Sequence, residues 1–298
     1  MSILNGKNIL LGISGGIAAY KSAFLVRLLI KNGAHVQVIM TPNSKDFVTP
    51  LTLSTLSKRP VLSEFFNKDN ENELWNNHVE LALWANYFII APATANTLSK
   101  MASARVDNLL IATYLSAKCP VFFAPAMDLD MHKNQANKLN IIKLIDFGNI
   151  HIPVNSGFLA SGLEGEGRMQ EPSQIIDFVS NYILNQKKLY GKKVLITAGP
   201  TYEAIDAVRF IGNFSSGKMG FALANTAAKL GAEVFLITGP TSLSIKNNRI
   251  KSFHVTSADE MFKISSDLFL QADIAILSAA VSDFRPKKAK KNKIKKER

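Results

Sequence analysis

At 298 residues the chain is long enough for two domains, each able to bury its own core. Its 47% hydrophobic and 19% charged residues exclude disorder or a collagen-like repeat as the main state, and a single cysteine, Cys119, excludes an intramolecular disulfide. The formal charge of +12 suggests a polyanion partner, but eight basic residues against one acid crowd into 287–298, so the excess is terminal rather than spread over a nucleic-acid-binding face.

Short apolar runs alternate with longer amphipathic ones, the pattern of a parallel sheet covered by helices on both faces. Strands are expected at 8–13, 35–40, 87–91 and 120–124, with a weaker one at 149–152. The clearest helix, 16–31, follows a glycine loop and ends at Asn32-Gly33; another, 172–184, starts at Pro172. A polar linker at 185–190 separates a second unit that repeats the opening: strands at 193–197, 233–238 and 273–278, helices at 217–230 and 258–271. Domains are therefore expected at 1–188 and 189–298. Three strands make the second sheet an incomplete doubly wound one. No window approaches 18 apolar residues without a charge, so no membrane span is expected, and the compartment implied is a reducing cytoplasm.

Ligands in such sheets bind beyond the carboxyl ends of the strands. The first loop there, Gly12-Ile13-Ser14-Gly15-Gly16, lets backbone approach an anion at a helix start, or is simply a tight turn. It is not the G-x-G-x-x-G fingerprint. Thr41, rather than a ribose-binding acid, follows the second strand, which favours a ligand with a terminal phosphate such as FMN over NAD. Ala91, Thr94 and Asn96, with Asp107 and Asn108 beyond, could face a planar hydrogen-bonding ring; the same spacing also suits a helix cap. His78 opens an amphipathic helix after a polar run at 70–77, as a capping or surface residue or as a base.

Five segments, in order, resemble the flavin-dependent cysteine decarboxylases: Gly15-Gly16-Ile17-Ala18-Ala19-Tyr20-Lys21, His78-Val79-Glu80-Leu81, Ala91-Pro92-Ala93-Thr94-Ala95-Asn96, Pro125-Ala126-Met127 with Met131, and Gly165-Glu166-Gly167-Arg168-Met169. Their spacing is similar to the decarboxylase half of the bifunctional enzymes of coenzyme A synthesis. The resemblance implies a flavodoxin-like, three-layer α/β domain and FMN held by Ser14, Gly15, Thr41 and the 91–97 loop. It gives His78 the role of base and Met127, Arg168 and Met169 contacts to the substrate, 4'-phosphopantothenoylcysteine. The implied chemistry is oxidation of the thiol to a thioaldehyde, loss of carbon dioxide and reduction to 4'-phosphopantetheine. Two residues depart from the family pattern. Asp128 stands where an asparagine amide donates to the substrate carboxylate; an acid must be protonated to donate and otherwise repels it. Ser161 replaces a cysteine proton donor, and a serine hydroxyl is far less acidic than a thiol of pKa about 8.5. Decarboxylation is expected to be intact, with water or another group giving the final proton.

In the second unit Gly212-Asn213-Phe214-Ser215-Ser216-Gly217-Lys218 satisfies most of a Walker A loop, but Met219 lacks the hydroxyl for Mg²⁺. Together with Thr197-Ala198-Gly199-Pro200-Thr201, Val208-Arg209-Phe210-Ile211 and Ala279-Ala280-Val281-Ser282-Asp283-Phe284-Arg285, it resembles the ligase half of the same enzymes, a Rossmann-like α/β domain. The resemblance implies that cysteine is joined to 4'-phosphopantothenate with CTP and Mg²⁺. Asn213 and Lys218 would then meet the acyl substrate, Ala279 and Asp283 the nucleotide, and Lys293 its phosphates. Family members continue beyond the lysine run, so the ligase unit is expected to be cut short and a poor catalyst. Trimers of the flavin unit and dimers of the ligase unit are implied. The competing reading is a non-catalytic flavoprotein that regulates a protein partner. Neither nucleic acid nor membrane is an expected partner.

Overall fold

The structure, a computed structural model, describes residues 2–67 and 74–295; residues 70–73 of the polar run, and Lys296, Glu297 and Arg298 of the basic run, lie outside the described residues. The chain divides into two compact units, Met1–Tyr182 and Ile183–Arg298.

In the first unit β1 (Asn8–Ile13) is followed by α1 (Lys21–Lys31), β2 (His35–Met40), α2 (Pro50–Ser57) and a short antiparallel pair, β3 (Phe66–Asn67) with β4 (Leu74–Trp75). Then come α3 (His78–Trp84), β5 (Tyr87–Ala93), α4 (Ala95–Ser103), α5 (Leu109–Ser116), β6 (Val121–Pro125), α6 (Leu129–Lys133) and α7 (Gln135–Asp146). The unit closes with β7 (Ile150–His151), a hairpin of β8 (Asn155–Phe158) and β9 (Glu164–Arg168), and α8 (Pro172–Asn185). The helix expected from residue 16 starts at Lys21, because the two glycines and a single 3-10 turn at Ile17–Tyr20 come first.

The sheet is parallel in the order β2-β1-β5-β6-β7. Alternate side chains face opposite layers, as strand geometry requires. Leu10, Phe88, Ile90 and Phe123 pack with Leu98 and Met101 of α4 and Leu110 and Ile111 of α5. Phe122, pointing the other way, meets Tyr182 of α8 edge-on with ring centroids 5.1 Å apart. Phe88, Phe122 and Phe123 are fully buried, each contributing about 2–3 kcal/mol of apolar transfer. This core fixes the strand ends that carry the site.

The second unit runs β10 (Lys193–Ala198), an antiparallel pair β11 (Tyr202–Ala204) and β12 (Phe210–Gly212), α9 (Lys218–Lys229), β13 (Glu233–Thr238), β14 (Ile250–His254), α10 (Ala258–Phe269) and β15 (Ile274–Leu277). Its main sheet has four parallel strands, β14-β13-β10-β15, where three were expected. The missed strand, β14, pairs on one side and exposes most of Ile-Lys-Ser-Phe-His, so its sequence lacks the apolar run of a central strand. Val194 and Ile196 pack against α9, while Leu195 and Ile237 pack against Met261 of α10.

Candidate functional site

The carboxyl ends of β1, β2, β5 and β6 open onto a cavity of about 510 Å³ lined by Gly15, Thr41, Asn43, Thr94, Asn96, Thr97, Lys100, Asp107, Asn108, Met127 and Met131, among others. Its frame is built locally. Ser14 Oγ donates to the Pro92 carbonyl at 2.7 Å and accepts from the Thr94 amide at 2.9 Å, locking the ends of β1 and β5 together. Ser14 and Ala91, both buried, therefore lie behind the wall rather than on it. A Cβ on Gly15 would come within 2.9 Å of the Asn43 carbonyl oxygen, so only glycine lets these two loops approach. Thr94 occupies the position before α4 but its hydroxyl makes no capping bond, whereas Asn108 does cap α5 by accepting from the Ile111 amide at 3.1 Å.

Asn43 and Lys100 of this wall escaped the sequence reading. Asn43 was recognisable only by its place just past the carboxyl end of β2. Lys100 contacts Asp107 at 2.7 Å and is the main reason that the Asp107 carboxyl sits below its ordinary range. This volume falls within the roughly 300–1,000 Å³ of small-molecule sites. The glycine cradle and the amide and hydroxyl side chains are a donor set that fits a phosphorylated, hydrogen-bonding ring such as FMN.

A second cavity of about 470 Å³ shares Ala126 and Met127 with the first and adds Tyr20, Lys21, Asp128, Phe158, Ser161, Arg168 and Met169, among others. The β8–β9 hairpin forms one side of it. Gly167 lets the hairpin seat: its φ is +136°, its carbonyl accepts from the Met127 amide at 3.1 Å, and a Cβ there would lie 2.4 Å from Met127 O. At the hairpin tip Ser161 Oγ donates to Asp128 Oδ1 at 2.9 Å, and the same oxygen accepts from the Leu129 amide at 2.7 Å. The two residues that depart from the family pattern are thus hydrogen-bonded to each other. Behind them Lys21 Nζ, itself buried, donates to the Met169 carbonyl at 3.0 Å and to Glu171, which also takes Arg168.

His78 lines neither cavity. Asn77, not His78, caps α3, accepting from the Val79 and Glu80 amides. The imidazole sits edge-on to Phe65 and Trp75, and its Nδ1 is buried with no hydrogen-bond partner among the described residues. Cys119 precedes β6, at the opposite end of that strand from Asp128, and burial pushes its thiol up from the usual range.

In the second unit the loops after β10 and β15 are joined: Ala280 N donates to Gly199 O at 2.8 Å and Ser282 N to Thr201 Oγ1 at 2.8 Å. Ala279 N donates to Thr197 Oγ1, and Asn213 Nδ2 donates to the Val281 carbonyl at 2.8 Å, so Asn213, Ala279 and the loop bearing Asp283 share one end of the sheet. Lys218 is the first residue of α9. Asp206, absent from the sequence reading, has a fully buried carboxylate that accepts from the Val208 and Arg209 amides, the Arg209 guanidinium and the Ile294 amide. Those bonds, the Arg209 guanidinium foremost, hold its carboxyl well below the usual range. The segment carrying Lys293 is thereby fastened, with Lys290 N also donating to Ile205 O at 3.0 Å.

The Flavoprotein family matches residues 2–184, and the family described as DNA/pantothenate metabolism flavoprotein C-terminal domain matches 189–298. The Coenzyme A biosynthesis bifunctional protein CoaBC of Bacillus subtilis is 43% identical over 297 residues, 99% of this chain and 73% of that protein. The chain belongs to the CoaBC family. The CoaBC protein of Vibrio cholerae is 46% identical over the whole chain and 74% of its own length. A cysteine/cysteine sulfinic acid decarboxylase from an unknown prokaryotic organism is 52% identical over 83% of this chain and 70% of that protein. Among solved structures, a cysteine-to-serine mutant of PPC decarboxylase complexed with pantothenoylaminoethenethiol is 33% identical, with a TM-score of 0.53 over 60% of this chain and 98% of that one. The FMN binding protein AtHal3 is 31% identical with a TM-score of 0.52, covering 61% of this chain and 99% of that one. The first unit therefore has the flavodoxin-like α/β fold of these proteins. No helix among the described residues is long and apolar enough to cross a membrane.

Proposed function

We propose that this CoaBC-family chain decarboxylates 4'-phosphopantothenoylcysteine in coenzyme A formation, using FMN in the first cavity and substrate in the second. The observation that carries this reading is the pair of cavities sharing Ala126 and Met127, which sets a ring-sized site directly beside one that holds Asp128, Ser161 and Arg168. FMN, when bound, supplies a reversible two-electron oxidation of the thiol-bearing carbon, making the neighbouring carboxylate a leaving group. The chain's residues position and exclude. Gly15, Thr41, Thr94, Asn96 and Asn108 would hold the cofactor, and Met127 would separate it from substrate. The hairpin would cover the substrate, latched by the Ser161–Asp128 bond. With its hydrogen donated to Asp128, Ser161 is not free to deliver the last proton, so that proton is assigned to water.

His78 is the proposed base, but the sulfur it serves lies in a neighbouring copy, because in its own chain it faces Phe65 and Trp75. That assignment requires the trimer the family resemblance implies. The functional boundary is proposed at 188/189, which leaves α8 whole. For the second unit the proposed activity is CTP-dependent joining of cysteine to 4'-phosphopantothenate, with Asn213 and Lys218 toward the acyl substrate, Ala279 and Asp283 toward the nucleotide, Lys293 toward its phosphates, and Mg²⁺ arriving with CTP. The docked lysine segment supports it.

A yellow protein that releases carbon dioxide from 4'-phosphopantothenoylcysteine is the expected result, with 4'-phosphopantetheine as the product by mass. A colourless protein would overturn the FMN assignment, and a yellow one without carbon dioxide release would favour a regulatory flavoprotein. Accumulated ene-thiol would overturn complete turnover. Pyrophosphate release from CTP with phosphopantothenate and cysteine tests the second unit separately.

A further inference from the structure

Lys21, Arg168 and Asp128 line the second cavity, and Glu171 contacts the first two. Lys21 Nζ and Arg168 Nη2 meet the same Glu171 oxygen, at 2.8 and 2.9 Å. Two cations on one carboxylate leave a positive charge, and Asp128 in the same wall brings the set to neutrality. The guanidinium nevertheless pairs with Glu171 and not with Asp128, whose Oδ1 is taken by Ser161 Oγ and the Leu129 amide. Glu171 is itself fixed in two ways. Its main chain lies one residue ahead of α8, where its amide donates to Gln174 Oε1 at 3.2 Å and its carbonyl accepts from the Ile175 amide at 3.0 Å. Its carboxylate is the counter-charge of Lys21, which is buried and has no other acid partner among the described residues. Turning it away would strand an ammonium in the interior. The Lys21 contact, with Arg168 after it, holds the Glu171 carboxyl below its usual range, so it is ionised at neutral pH.

Arg168 is thereby gripped through Nη2. Its Nε and Nη1 hydrogen-bond to no protein acceptor among the described residues. Nη1 runs past Gly157 of the paired strand β8, where an added Cβ would lie 3.6 Å from it. Coplanar N–H groups held in this way suit an anion with two oxygens. We propose that Glu171 is the positioning residue of this cavity, aiming the open edge of Arg168 at an oxyanion of the substrate. This rests on the decarboxylase reading, whose substrate carries two such groups, a carboxylate at one end and a phosphate at the other.

The discriminating variant is Glu171→Gln, which keeps an acceptor oxygen but not the charge that fixes Arg168. In the flavin-loaded protein KM for 4'-phosphopantothenoylcysteine should rise about tenfold with kcat unchanged, the mark of a lost binding contact. Arg168→Met leaves the Lys21–Glu171 pair intact and should raise KM at least as much. Adding Glu171→Gln to it should then cost nothing further, because no guanidinium is left to aim. An unchanged KM, or losses that add, would overturn the positioning role. If Glu171→Gln alone does not fold, Lys21→Met is compared with Lys21→Met plus Glu171→Gln, in which no ammonium is stranded, and the same rise is expected. Calorimetry with ligands that are not turned over identifies the oxyanion: 4'-phosphopantetheine carries only the phosphate, and N-pantothenoylalanine only the carboxylate. One or both should bind Glu171→Gln about tenfold more weakly than the unaltered protein. No weakening of either, or no binding of either to the unaltered protein, overturns the proposal. Weakening in calorimetry without carbon dioxide release by the unaltered protein sinks the decarboxylase reading alone.

Discussion

Replacing Gly167 by alanine tests how the β8–β9 hairpin is seated on the site. The residue sits at φ +136°, and its new Cβ would stand 2.4 Å from the Met127 carbonyl oxygen, a main-chain atom that cannot swing aside. Gly162, at the hairpin tip, supplies the control, because its φ is +84° but nothing lies within 4 Å of its Cβ position. Alanine at Gly162 should cost about 1 kcal/mol of backbone strain and no more. At Gly167 the same strain is joined by the loss of the Met127–Gly167 hydrogen bond, about 1 kcal/mol, and by overpacking of about 1–3 kcal/mol. A total of about 3–5 kcal/mol is expected, roughly 2–4 kcal/mol beyond the control. Both tryptophans of the chain, Trp75 and Trp84, belong to the first unit, so urea unfolding followed by tryptophan fluorescence reads that unit alone. Equal destabilisation by the two alanines would refute the seating argument.

The remaining predictions concern other parts of the chain. Asp206→Ala should free the lysine segment and speed tryptic cleavage after Lys290, Lys291 and Lys293 about tenfold or more, which gel analysis would show; an unchanged rate contradicts the anchoring. Because the folded Asp206 carboxyl lies below its unfolded value, its contribution is fully present above the unfolded value and is lost only as pH falls through the folded one. Hydrogen exchange should therefore still show the Ile294 amide protected at about pH 3.5, just under the ordinary aspartate value of about 3.9, and exposure there would contradict it. Cys119, its thiol raised by burial, should react with a disulfide reagent at pH ~8 about tenfold or more slowly than free cysteine; an equal rate would contradict its burial. Mixed His78→Asn and Asp128→Ala chains should regain carbon dioxide release after subunit exchange, and a mixture as inactive as its parents would rule out a site shared between copies.

The parallel core of each unit was legible because buried strands such as Asn8–Ile13 and His35–Met40 carry near-continuous apolar runs between glycine turns. The hairpin was not, since Asn-Ser-Gly-Phe and Glu-Gly-Glu-Gly-Arg have little strand propensity and are held by contacts with Met127 and Leu129 instead. Asp128 and Ser161 each stood out as a departure, but their bond joins positions 33 apart and depends on how the hairpin folds back. His78 was visible as a residue type, while its separation from Asp128 is a matter of three-dimensional placement. Asp206 carried no signal of its own. Its partners are two nearby amides, a guanidinium and a main-chain group 88 residues away.

That last contact has an electrostatic consequence. The fastening of the basic segment uses the main-chain N–H of Lys290 and both main-chain groups of Ile294, and it draws on none of the ammonium groups between them. Lys290, Lys291 and Lys293 are thus fixed in place with their charges uncommitted to the anchor. A polyphosphate could gather against them without the segment letting go. Salt would then weaken the ligand's hold, through screening over about 8–10 Å, while the buried Asp206 carboxylate kept the segment in place.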